Sequence, residues 1–116
     1  MLLLDVQALL GPELRAIIAA AEDGFRWSAT TESLNVNLVA WNPGQGMEQH
    51  INQAVDVVLV VMEGRGTLTV DQQAIPLDSG SIITIPRGAA RSLTADTRLV
   101  YLSIHRARAP LMPTPR

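Results

Sequence analysis

Residues 44–64 read GQGMEQHINQAVDVVLVVMEG, and residues 80–91 read GSIITIPRGAAR. In the first stretch Gly44 is followed, after five residues, by His50, Ile51 and Asn52, and an apolar run leads to Gly64. In the second, Gly80 is followed after five residues by Pro86, Arg87 and Gly88, with Arg91 shortly beyond. Both stretches are apolar runs of strand length punctuated by Gly and Pro. Val57 to Met62 is apolar on both faces, so that strand is expected to be covered on both sides.

The same pattern extends outward. Leu34, Val36, Leu38 and Ala40 alternate with Ser33, Asn35, Asn37 and Val39, which predicts a half-buried strand. Thr67 to Val70, Ala74 to Leu77, Ser81 to Ile85, Arg91 to Thr94 and Leu99 to Ile104 read as further strands. Pro76 makes the second of these an edge strand, because proline cannot donate to a ladder. Upstream, Gly11-Pro12-Glu13 reads as a helix start. Leu14, Ile17, Ile18 and Ala21 follow on one helical face, and Gly24 is expected to cap the end. Short strands between Gly and Pro turns indicate an all-β sandwich or barrel. The division expected is an N-terminal segment with a short helix (1–26), a barrel (27–106) and a Pro-rich, extended tail (107–116).

Composition narrows the function. A chain of 116 residues is one domain's worth. All nine basic residues are Arg, and the net charge is −2, so no overall field favours nucleic acid. The absence of cysteine excludes disulfides, thiolate metal sites and a Cys nucleophile. The N-terminus lacks the charged start of a signal peptide, and no run approaches the ~20 apolar residues of a membrane span. A cytoplasmic protein without nucleic-acid or membrane partners is the expectation. The doubly apolar Val57–Met62 run adds a further one, a homodimer.

The two opening stretches resemble the paired signature motifs of the cupin family. Gly44, Gly64, Gly80, Pro86 and Gly88 match the family's scaffold positions. The resemblance covers about Asn42 to Ala95 and implies a double-stranded β-helix, the cupin jelly-roll barrel. It also implies a metal site in which the first motif supplies two histidines and a glutamate and the second a third histidine. Here only His50 matches. Asn52 stands at the second histidine position and Arg91 at the third. Counting back from Gly64 puts Val57 at the glutamate position, whereas counting forward from Asn52 puts Asp56 there.

These residues define the candidate site. Imidazole suits His50 to metal binding or acid–base work. The Asn52 amide suits hydrogen bonding, to ligand or to local backbone. Arg91 has no lone pair for a metal and would repel one by ~4 kcal/mol per unit charge at an effective dielectric of 20. Its planar fork suits a carboxylate, with an ion pair to Asp56 or exposure to water as the alternatives. Leu99, Tyr101, Ser103 and His105 share one strand face, so Tyr101 and His105 are candidates to converge with His50. His105 could equally be a surface residue beside Arg106 and Arg108.

Two functions follow. The first is a binding protein for a small organic anion, with no cofactor expected beyond a weakly held divalent metal. The second is a metal-dependent enzyme of the isomerase, dioxygenase or decarboxylase type, with the site rebuilt from His50, Asp56 and His105.

Overall fold

The structure, a computed structural model, describes residues 6–107. Among these, one helix, α1 (Gly11–Ala19), precedes nine strands. They are β1 (Gly24–Thr30), β2 (Leu34–Trp41), β3 (Gly46–Ile51), β4 (Val57–Glu63), β5 (Gly66–Val70), β6 (Gln73–Leu77), β7 (Ile82–Ile85), β8 (Ala90–Ala95) and β9 (Leu99–Arg106). The strands form two antiparallel sheets, ordered β1-β2-β9-β4-β7 and β3-β8-β5-β6, which pack as a jelly roll.

Alternation decides what each sheet buries. Val57, Leu59 and Val61 of β4 point between the sheets and are buried with Leu68, Leu93 and Tyr101. Fully burying side chains of this size contributes about 1.5–3 kcal/mol each. The alternate residues Val58 and Val60 are only half-buried. β6 lies at a sheet edge, as Pro76 required.

Strand β2 is apolar toward both layers. Val39 joins the interior, while Leu38 and Ala40 meet Leu14, Ile17 and Ile18 of α1 on the outer face. The helix begins as the sequence suggests, with Pro at its start and the Glu13 carboxylate accepting from the Leu10 amide. It ends earlier than expected. Ala20 is the cap and Ala21 lies beyond the helix, exposed. Gly24 is not the cap; it opens β1 with a φ of 94°, a conformation glycine tolerates. Gly64 is tighter still. Its φ is 91°, and a Cβ there would collide with the Arg98 carbonyl oxygen.

Strand β3 carried no alternating signal, because four of its six residues are exposed. None of the described helices is long and apolar enough to cross a membrane. The Pro-rich tail, expected from 107, lies outside the described residues beyond Ala107.

Candidate ligand site inside the barrel

Between the sheets lies a cavity of about 480 Å³, within the range that small-molecule sites occupy. Alternate residues of β2 and β9 face it. Asn35, Asn37 and Val39 pair across the sheet with His105, Ser103 and Tyr101. From the opposite sheet come Met47 and His50 on β3, Leu68 on β5 and Arg91 on β8, with Asn52 just past β3.

His50 and Arg91 are direct cross-strand partners. Arg91 Nε donates to His50 Nε2 at 3.2 Å. A guanidinium can only donate, so His50 Nε2 must accept through its lone pair. The imidazole hydrogen then sits on Nδ1, which donates to the Glu48 carbonyl at 3.2 Å. The pair stands at the cavity mouth, because both residues also line an outer groove with Ile51, Gln53 and Ala54.

Asn52 is committed to its own loop. Its Oδ1 accepts from the amides of Ala54 (2.9 Å) and Val55 (3.3 Å), forming an Asx turn. This fixes the amide orientation and leaves Nδ2 buried without an acceptor among the described residues. An orphaned donor of this kind costs about 1–3 kcal/mol.

The choice between Asp56 and Val57 is settled. Val57 is 1% exposed and lines the cavity. Asp56 is exposed, its Oδ1 accepts from the Arg87 amide at 2.8 Å, and it faces a separate groove with Arg87 and Arg106. The expected grouping of Asp56 with His50 and Arg91 is therefore corrected. The Asx turn breaks the extended run after Asn52, so counting in twos from that residue fails.

His105 is half-buried. It lines the same cavity as His50, and its Nδ1 donates to the Arg106 carbonyl at 2.8 Å. Tyr101 is buried, and its hydroxyl accepts from Trp41 Nε1 at 3.1 Å. Burial pushes the Tyr101 hydroxyl above its ordinary value, and the Trp41 hydrogen bond and the Arg91 charge pull it part of the way back. Tyr101 thus keeps its proton and can donate to a ligand oxygen. Four polar lining residues were missed from sequence: Ser28, Thr30, Asn35 and Asn37. For Asn35 and Asn37 the signal was the polar half of the β2 alternation; Ser28 and Thr30 stand on β1.

The family model for the cupin domain matches residues 37–105, more than half of the chain. The chain is a cupin. No curated protein matches it. Several solved structures share its fold. A conserved protein of unknown function from Streptococcus pyogenes is 20% identical with a TM-score of 0.62, the match covering 70% of each chain. KdgF from Halomonas sp. is 17% identical with a TM-score of 0.65, covering 71% of this cupin and 76% of KdgF. A salicylate 1,2-dioxygenase from Pseudaminobacter salicylatoxidans is 20% identical with a TM-score of 0.61, but the match covers 65% of this chain and only 21% of the dioxygenase.

Metal is common among cupins, and the residues of this one do not fit it. The His50 Nε2 lone pair is taken by Arg91, Asn52 Oδ1 by two amides, and Asp56 faces elsewhere. Among the described residues no three His, Cys, Asp or Glu side chains gather as a metal would require.

Proposed function

We propose that this cupin binds a small organic anion, a carboxylate, within the barrel. Arg91 is its charge partner, and His50, Asn52, Tyr101 and His105 surround it. The observation that carries this reading is the lining itself. It brings a guanidinium and two imidazoles to one cavity and, among the described residues, no carboxylate. His50 Nε2 orients the guanidinium from one side, which pre-pays part of the ordering cost of binding. Asp56, the internal partner considered from sequence, faces another groove.

The second reading is a metal-dependent enzyme of the isomerase, dioxygenase or decarboxylase type. It rests on His50 and His105 lining one cavity. It would require Arg91 to leave His50 Nε2.

Thermal-shift titration separates the two. Small carboxylates are expected to raise the melting temperature, and Arg91→Gln to weaken that binding ~10-fold or more, as loss of a charged hydrogen bond implies. Zinc or manganese is expected to shift the melt little. A large shift at near-stoichiometric metal would replace the first reading with the second.

A further inference from the structure

The inner face of the five-stranded sheet carries an ordered block of polar side chains. Thr30 pairs with Asn35, and Asn35 with His105. One rung along, Ser28 pairs with Asn37, Asn37 with Ser103, and Ser103 with Leu59. All of these residues line the cavity. Ser28 and Thr30 stand at the exposed rim, whereas Asn35, Asn37, Ser103 and His105 are half-buried.

The next rung is Phe25, Val39 and Tyr101, and there the same face turns apolar. The rest of the inner face is likewise aliphatic, with Val57, Leu59 and Val61. Packing alone would favour aliphatic side chains on the two polar rungs as well, because half-buried amides and hydroxyls lose water contacts that must be replaced.

From this arrangement we infer that the acid bound by this cupin is polyhydroxylated, a sugar acid in chemical class. This rests on the carboxylate reading above. Arg91 takes the carboxylate, and the two polar rungs take the hydroxyls. A hydroxyl both donates and accepts, and Ser, Thr and the Asn amide offer the same two capacities. Ser28 Oγ donates to Asn37 Oδ1 at 2.7 Å, which leaves Asn37 its two Nδ2 donors. The rungs carry no carboxylate, guanidinium or ammonium group, and their hydroxyls and amides suit the hydroxyls of the ligand's remote end. Val57, Leu59 and Leu68 line the same cavity with carbon, which suits the C–H faces of a polyol or a pyranose ring.

The test uses acids of matched skeleton, titrated into the whole protein by calorimetry: gluconate against hexanoate, and glucuronate against cyclohexanecarboxylate. The hydroxylated member of each pair is expected to bind at least ~10-fold tighter, about 1.4 kcal/mol. Asn37→Leu should erase that preference, the loss falling on the hydroxylated member of each pair. Ser103→Ala, a smaller change, should reduce the preference severalfold without disturbing the fold. Arg91→Gln should weaken both members of a pair. Equal binding within each pair, unaltered by Asn37→Leu and Ser103→Ala, overturns this inference and leaves the carboxylate reading standing. If none of the four acids binds, both fall.

Discussion

At the scale of single residues, the protons in the cavity are set by neighbours. Tyr101 is the chain's only tyrosine, so its ionisation can be followed without interference. Burial raises its folded value above the ordinary 10.0, so the fold favours the neutral phenol. Its contribution to stability is therefore complete below 10.0 and is lost as pH rises through the higher folded value. Tyrosinate absorbance is expected to appear above 10.0, together with loss of the fold, and Arg91→Gln should move it higher by removing a stabilising cation. Ionisation at the ordinary value in an intact fold would contradict the buried geometry. The resemblance of the second motif pointed Arg91 toward the cavity that it lines, while the residues alone left exposure to water open. The place of Asp56 was not legible. The Asx turn at Asn52 interrupts the period of two, and only the unbroken strand from Val57 preserved the correct count.

At the scale of elements, α1 buries none of its own residues fully and depends on what fastens it. Arg98 does this. Its Nη2 donates to the Ile17 carbonyl at 2.8 Å, in the last turn of α1, and its Nη1 donates to the Glu22 carbonyl at 2.9 Å and to Asn42 Oδ1 at 3.0 Å. A cation at a helix C-terminus also meets the negative end of the dipole. Arg98→Ala is expected to cost about 1–3 kcal/mol in urea unfolding, and Arg98→Lys to recover only part, since an ammonium lacks the fork. A change below ~0.5 kcal/mol would show that apolar contacts alone hold the helix. The start of α1 was legible from Pro12 and Glu13. Its end was not, because Gly24 has the conformation of a cap while serving as the entry to β1. No local pattern marked Arg98, whose partners lie far away in sequence.

For the whole molecule, the outer face of the five-stranded sheet is only partly covered. The helix protects Leu38, Ala40 and Val100, while Met62 and Ile82 are exposed and Val58 and Val60 half-exposed. We propose that two copies pair through this β4–β7 half, as the doubly apolar β4 run suggested. The patch carries no charge that would call for an oppositely charged partner, and a twofold pairing is self-complementary. Sedimentation at micromolar concentration is expected to show a dimer, and Ile82→Glu a monomer. A monomeric wild type would end the proposal. The barrel class was legible because apolar periods and turn glycines are local. The strand order was not, because pairing between distant segments leaves no local trace.

That order has a consequence for time. The centre of the five-stranded sheet is built from β2 and β9, one of the first strands and the last, running from Leu34 opposite Arg106 to Trp41 opposite Leu99. During synthesis β2 pairs with β1 early, but nearly the whole barrel sequence must emerge before its second partner, β9, exists. A chain halted before Leu99 would leave β2 and β4 each with an open hydrogen-bonding edge, a template for association with other chains. Closing so long a loop also delays folding, placing it among all-β domains that need milliseconds to seconds. The last of the described strands to leave the ribosome is thus the one that joins the polar block on β1 and β2 to the aliphatic wall on β4, so the pocket comes into being only when the barrel closes.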